Sequence, residues 1–153
     1  MNAPIAQTKA GRVRGFQVDG TYTFYGIKYA DAKRFQMPQP PQPWEGVRNA
    51  DSYGYVCPML DPETAVGEIM VPHRYWPKDE NCQYLNVWTQ SMEPGAKLPV
   101  MVWFHGGGFS AGSSIEQISY DGENLSRFGN IVVVTVNHRL NILGYLDLSP
   151  YRS

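Results

Sequence analysis

The feature that most constrains this chain is an apolar run that ends abruptly in a histidine and three glycines. The run, LPVMVWF, occupies residues 98–104, and His105, Gly106, Gly107 and Gly108 follow it directly. A short apolar run bounded by turn sequence predicts a strand buried on both faces, as in a mostly parallel sheet. Consecutive glycines keep side chains off one surface, so backbone N–H groups can approach a ligand closely. The sequence therefore predicts a strand and then a loop suited to holding negative charge with main-chain donors.

A second apolar run, IVVVTV, lies at residues 131–136 and predicts another buried strand. Residues 120–129 between the two runs predict a short helix that ends at Gly129. Strand, loop, helix and strand in this order form the crossover unit that joins parallel strands. This part of the sequence therefore indicates an α/β fold.

The chain upstream predicts a small β-hairpin region. Residues 11–18 alternate in polarity, Asp19 and Gly20 favour a tight turn, and residues 21–25 return. We interpret this as an ordinary hairpin at the edge of a sheet. Residues 80–88 also alternate and predict a further strand.

Composition excludes several functional classes. The 13 basic and 14 acidic side chains give a net charge of −1, which offers no electrostatic basis for binding nucleic acid or an anionic membrane. Apolar runs fall well short of the ~20 residues that cross a bilayer. The first residues lack the apolar segment of a signal peptide, so we expect a cytoplasmic protein, or a secreted one if a signal has been removed. Cys57 and Cys82 lie in no CxxC or Cys/His cluster, so we expect no metal or cofactor; reduced thiols and one disulfide both remain open.

Five blocks of the sequence, in order, resemble those of type-B carboxylesterases, the group that includes cholinesterases and bacterial p-nitrobenzyl esterases. The blocks are GIKYA at 26–30, RF…PQPWEGV at 34–47, ENCQYLNV at 80–87, HGGG at 105–108 and NHRLNILGYL at 137–146. The chain departs from that pattern at Lys28 for proline, Asn81 for aspartate, Gln83 for leucine and His138 for tyrosine. The resemblance covers residues 8–149 and implies that residues 1–153 form the N-terminal portion of a single α/β-hydrolase domain.

The resemblance also implies roles for individual residues. The amides of Gly107 and Gly108 would form the oxyanion hole of a serine esterase that hydrolyses small-molecule carboxylic esters. Gly106 would shape the loop and, with Phe109, line the substrate pocket. Two further pairs are implied: a disulfide between Cys57 and Cys82, and a structural ion pair between Arg34 and Glu80.

The resemblance places the Ser, acid and His of the triad after the elements contained here. We therefore expect a second polypeptide to supply the triad and the rest of the sheet, with this chain alone inactive. Without that partner, residues 98–104 and 131–136 would expose apolar faces and unpaired edges. The alternative is a truncated, catalytically inactive hydrolase that serves as a binding or interaction module, which predicts no esterase activity in any native complex.

The glycine-rich segment also contains a match to the nucleophile motif of serine hydrolases. Residues 108–112 fit G-x-S-x-G at Ser110, and Asp121 and His138 follow in the order Ser, Asp, His. One loop can hardly present both the nucleophile and the oxyanion hole that faces it, so we expect no triad here, and we interpret His138 as a buried or half-buried structural residue. Phosphate binding is disfavoured because the loop lacks the Lys-Ser/Thr of a P-loop.

Overall fold

The computed structural model describes residues 3–60, 71–147 and 149–151. The described segments contain eight strands, two short α-helices and two 3₁₀ turns. In chain order these are β1 Ile5–Gln7, β2 Arg12–Arg14, β3 Phe16–Val18, β4 Thr21–Lys28, β5 Val47–Asn49, β6 Tyr84–Thr89, β7 Val100–Phe104, a 3₁₀ turn Ile118–Tyr120, α1 Glu123–Gly129, β8 Val132–Val136, α2 Asn141–Tyr145 and a 3₁₀ turn Ser149–Tyr151. No helix in these segments has the length and apolar character that a bilayer crossing requires.

The strands form a three-stranded sheet, β1-β2-β5, and a five-stranded sheet, β3-β4-β6-β8-β7. In the larger sheet β7 and β8 run parallel, with Val100 opposite Val132 and Phe104 opposite Val136. α1 lies in the connection between them and contacts β4, β6 and β8. The predicted crossover unit is therefore confirmed.

Within the larger sheet, the expectation of mostly parallel pairing holds only for that one pair of the described strands, although β2 and β5 of the smaller sheet are also parallel. The other three pairings of the larger sheet, β3-β4, β4-β6 and β6-β8, are antiparallel. Parallel pairing needs a long crossover, and a tight hairpin such as the one joining β3 to β4 can only return antiparallel.

The predicted hairpin turn is confirmed at Asp19 and Gly20, whose φ angles are 47° and 85°. Two successive positive φ angles match the twist of the flanking strands, which here are β3 and β4. The hairpin is shorter than predicted because residues 12–14 belong to β2 in the smaller sheet. β4 is also not an edge strand, since it pairs with β6 on its other side.

Strand β7 is not buried on both faces, as the sequence predicted. It forms an edge of the described sheet, and Val100, Val102 and Phe104 are 63 %, 48 % and 62 % exposed. This exposure agrees with the separate expectation that the sheet needs completion. The sequence also predicted an unpaired edge for residues 131–136. That prediction is wrong for β8, because β8 is paired on both sides, by β6 and by β7.

Two elements, α1 and β6, have boundaries that differ from those predicted. α1 begins at Glu123, and residues 118–120 form a 3₁₀ turn instead of its first turn. The left-handed residue that ends α1 is Asn130, with φ 48°, whereas Gly129 is still helical; asparagine tolerates that conformation better than most residues. The strand predicted over 80–88 begins at Tyr84 and ends at Thr89.

Candidate active site

The candidate site is built on residues 105–112, here called the glycine loop, which leaves the carboxyl end of β7. Because β7 and β8 are parallel, the segment that follows β8 begins at the same edge of the sheet. Ligands of α/β proteins bind at this edge of the sheet, where the loops meet. The fold therefore places the glycine loop beside residues 137–145.

The backbone of the glycine loop passes through three successive left-handed residues. The φ angles of Gly107, Gly108 and Phe109 are 121°, 60° and 62°. At Gly107 a Cβ atom would lie 2.0 Å from the carbonyl oxygen of Ala111, so both conformation and space require glycine there. Phe109 adopts this conformation although it carries a side chain, which indicates local strain at the tip of the loop.

Several main-chain donors of the loop, those of Gly107 and Gly108 among them, are unpaired within the described part of the chain. The carbonyl of Gly107 accepts hydrogen bonds from the amides of Ser110 and Ala111, at 3.1 and 3.2 Å. The amides of Gly107 and Gly108 donate to none of the described residues. Both glycines are exposed, so these amides are open to a ligand.

The segment after β8 contacts the loop on both sides of its three consecutive glycines. Before the glycines, the imidazole of His105 stacks on that of His138, with ring centroids 4.9 Å apart and planes inclined by 10°. After them, the amide of Asn141 donates to the carbonyl of Phe109 at 2.7 Å. The rings of Phe109 and Tyr145 also contact each other, with centroids 4.8 Å apart.

His105 is a neutral component of this arrangement. Its Nδ1 donates to the carbonyl of Gly106 at 2.8 Å. Burial lowers the pKa of His105 below the ordinary histidine value, and the neighbouring His138 lowers it further, against the opposing effects of the Gly106 carbonyl and Glu116. The ring at the start of the loop is therefore uncharged at neutral pH.

A cavity of about 560 Å³ opens beside the loop. Gly106, Gly108 and Phe109 line it from the loop, and His138 and Tyr145 line it from the segment after β8. Aromatic rings and glycine backbone form part of the lining, which also includes Gln83 and Arg139, so the cavity combines apolar surface with a few polar groups.

The serine motif within the glycine loop is not part of a triad. Ser110 Oγ donates to the carbonyl of Gly108 at 3.2 Å. Asp121 Oδ1 accepts from the amide of Glu123 at 3.1 Å at the start of α1, and His138 Nδ1 donates to the carbonyl of Arg139 at 3.1 Å. The three side chains use local backbone partners instead of one another, as expected. His138 is half-buried as predicted, but it also lines the cavity, which sequence reasoning did not anticipate.

The model of the Carboxylesterase family matches residues 2–151 of this chain. The chain belongs to the carboxylesterase family. Para-nitrobenzyl esterase of Bacillus subtilis is 37 % identical over 155 residues, covering 99 % of this chain and 30 % of the relative. The fatty acyl-CoA hydrolase precursor, medium chain, of Anas platyrhynchos is 41 % identical over 162 residues, covering 94 % of this chain and 28 % of that protein.

Solved structures of esterases share the fold of this carboxylesterase chain. An esterase from Clostridium hathewayi, reported to hydrolyse aliphatic aromatic polyesters, is 64 % identical with a TM-score of 0.93, over 99 % of this chain and 30 % of that one. A PNB esterase structure is 36 % identical with a TM-score of 0.83, covering 98 % and 30 %. The predicted family and α/β-hydrolase fold are thus confirmed, and the chain spans about 30 % of the length of these relatives.

Two buried asparagines anchor the strands and the loop in this carboxylesterase chain, and sequence reasoning missed both. Asn86 on β6 accepts from the amide of Gly26 at 3.0 Å and donates to Thr135 Oγ1 at 3.1 Å. Asn137, directly after β8, accepts from the amide of Ser114 at 2.7 Å. The available signal was an asparagine within or directly after an apolar strand, where only a hydrogen-bonded amide is stable.

Cys57 and Cys82 are buried neighbours and are free thiols in the structure. The amide of Leu140 donates to Cys57 Sγ at 3.1 Å. The hydrogen bond between the two thiols lowers the pKa of Cys57 and raises that of Cys82. Of the two states left open by the sequence, the structure contains the reduced one, with the sulfurs in contact and not bonded. Among the described residues, no cluster of three or more His, Cys, Asp or Glu side chains could hold a metal ion.

The ion pair implied by the resemblance is confirmed. Arg34 Nε lies 3.0 and 2.9 Å from the two carboxylate oxygens of Glu80. The guanidinium lowers the pKa of Glu80. The pair is solvent-exposed, so it fixes the course of the chain more than it stabilises the fold.

Proposed function

We propose that this chain is the N-terminal portion of a serine carboxylesterase and that it contributes the oxyanion hole through the amides of Gly107 and Gly108. The observation that carries the proposal is the pair of exposed amides, unpaired among the described residues, in a loop that borders a cavity. Membership of the carboxylesterase family makes an ester carbonyl the group that such donors would bind.

The chemistry explains why main-chain donors are needed. Attack of a serine hydroxyl on an ester places a full negative charge on the former carbonyl oxygen. Fixed N–H donors stabilise that charge, and the loss of one costs about 3–4 kcal/mol in barrier height. In the proposed site Gly107 and Gly108 bind this oxygen, while Gly106 and Phe109 contact the substrate. The aromatic lining favours small, uncharged carboxylic esters.

The nucleophile, the general base and the acid come, in this proposal, from a second polypeptide that also completes the sheet. Support comes from the exposed apolar edge of β7 and from the local partners of Ser110, Asp121 and His138, which leave no assembled triad among the described residues. A strand laid along β7 would cover this edge and place the loop that follows it beside the glycine loop.

Labelling of the assembled complex with a serine-reactive fluorophosphonate tests which polypeptide carries the nucleophilic serine. The complex should hydrolyse p-nitrophenyl esters, and the probe should label the polypeptide that carries the serine elbow. Ser110 serves as the internal comparison, because it is the serine of the only G-x-S-x-G match in this sequence. Label on Ser110 would contradict the proposal. A complex without esterase activity would favour the inactive binding module instead.

A further inference from the structure

We propose that His138 is a positioning residue for the oxyanion hole and that it acts through His105. The proposal rests on the proposed function, since it assigns a role in building that site. It also concerns a position where the chain departs from the family pattern, which has tyrosine.

The glycine loop has few internal contacts that could fix its two donor amides. Apart from the bonds to the Gly107 carbonyl, Ser110 Oγ to the Gly108 carbonyl is the hydrogen bond that spans the tip of the loop. Three glycines also lose more conformational freedom on ordering than other residues do. Donors aid catalysis only when they are held in place before the reaction, so the loop needs support from outside itself.

At the start of the loop, this outside support comes from the imidazole ring of His138, which stacks on His105. The imidazole of His105 lies face to face with that of His138, with 4.9 Å between centroids. Gly112 leaves room for the edge of the same ring, because a Cβ atom at that position would come within 2.8 Å of His105 Nδ1. The ring contact of His105 is the stack of His138 on its face. Removing the ring at 138 leaves the face of His105 without its stacking partner, two residues before the first proposed donor.

His138 also makes contacts besides its stack on His105, and these fix its position. Its Nδ1 donates to the carbonyl of Arg139 at 3.1 Å. The Tyr145 ring meets it edge-on, with centroids 6.3 Å apart. Tyr145 also contacts Phe109 at the tip of the loop. The ring at 138 thus belongs to one aromatic group that contacts the loop at His105 and at Phe109, and a planar side chain is what the stack requires.

The test compares three variants of the assembled esterase. His138→Ala and His138→Leu both remove the planar ring. The leucine side chain keeps much of the volume of the histidine, so His138→Leu can be measured if His138→Ala does not fold. We expect both to lower kcat by about tenfold with KM changed less than about twofold, because the donors act on the transition state. The affinity for a trifluoromethyl ketone, which forms a tetrahedral adduct in the oxyanion hole, should fall by the same factor. His138→Tyr restores a planar ring and should keep kcat within about threefold of the wild type.

Tyr120→Ala is the matched control. Its ring packs on Trp103 of β7, with centroids 5.7 Å apart, and has no ring contact with the glycine loop. It should leave kcat and ketone affinity unchanged. An active wild type whose alanine or leucine variant keeps kcat and ketone affinity, or raises KM alone, would overturn this proposal. A wild-type complex without esterase activity would overturn the proposed function itself, and this proposal with it.

Discussion

The three consecutive glycines at residues 106–108 differ in what a side chain would do to them. Gly106 has an ordinary φ, and a Cβ atom there meets nothing within 4 Å. Gly108 has the same free space but a φ of 60°. Of these three, Gly107 alone combines a positive φ with a clash, since the added atom would lie 2.0 Å from the Ala111 carbonyl. The sequence motif alone predicts three equivalent glycines, whereas the structure ranks them.

This ranking predicts graded effects of alanine substitution. Gly107→Ala should displace the loop and lower kcat by about 10²-fold or more, the scale expected when an oxyanion donor is lost. Gly108→Ala should cost less, because the strain of a left-handed alanine is about 1 kcal/mol. Steady-state kinetics of the assembled enzyme, normalised by active-site titration, measure both. Equal kcat values for Gly107→Ala and the wild type would show that this backbone is not part of the site.

Lys28, which stands where the family pattern has proline, forms an ion pair with Asp31. Its Nζ lies 2.6 Å from Asp31 Oδ1. This bond, followed by one from Asn81, lowers the pKa of the Asp31 carboxyl. A carboxyl whose pKa is lowered on folding stabilises the folded state above its ordinary pKa, and the effect disappears as pH falls through the lowered value.

We therefore expect Lys28→Met to raise the pKa of Asp31 towards the ordinary aspartate value. The carboxyl chemical shift of Asp31, followed by NMR through an acid titration, measures this pKa. Lys33→Met is the control, because that lysine lies nearby in sequence without an ion pair to Asp31. An Asp31 pKa that does not change in the Lys28 variant would mean that the ion pair does not form in solution.

At the scale of elements, the existence of the strands followed from apolar patterning, but their partners did not. The runs at 98–104 and 131–136 both became strands, joined by the predicted helix. Their burial was predicted wrongly for β7, because burial depends on neighbours that the run itself does not encode. β6 lies between β4 and β8, far from both in sequence, and no local pattern specifies that pairing.

The buried asparagines are the polar contacts that join these elements. Asn86 bonds β6 to β4 and β8, through Gly26 and Thr135. We expect Asn86→Ala to destabilise the protein by about 1–3 kcal/mol, because it leaves buried polar partners unsatisfied. Urea unfolding of the assembled protein measures this loss. Asn124→Ala, at an exposed position of α1, should change stability by less than about 0.5 kcal/mol, and an equally small effect at Asn86 would refute the anchoring role.

At the scale of the whole molecule, the larger sheet of the described segments ends in two edge strands that differ in character. β7 presents exposed apolar side chains, whereas the opposite edge strand, β3, belongs to a hairpin of mixed polarity. The family resemblance predicted the fold, because sequence blocks in family order specify a topology that composition cannot. It could not predict the aromatic group around His138, since that position departs from the family pattern.

Exposed valines on the two edge strands of the larger sheet provide a matched test of whether a second polypeptide pairs with β7. Val102 on β7 and Val18 on β3 are 48 % and 44 % exposed. If the proposed second polypeptide pairs with β7, Val102→Lys should greatly reduce recovery of the complex, because a charge would be buried in the new strand pair. Val18→Lys should assemble normally. Size-exclusion chromatography of co-expressed polypeptides measures recovery, and equal recovery of the two variants would argue that β7 is not the docking edge.

The most direct measurement removes the proposed donors without adding an atom to the loop. Replacing Gly107 or Gly108 by glycolic acid through protein ligation exchanges one backbone N–H for an ester oxygen. Gly95, in an exposed turn where a Cβ atom would meet nothing within 4 Å, provides the matched control. We predict that either replacement in the loop lowers kcat by about 10²-fold in the assembled enzyme, while the replacement at Gly95 leaves it unchanged. If all three replacements give the wild-type kcat, the amides of Gly107 and Gly108 do not form the oxyanion hole.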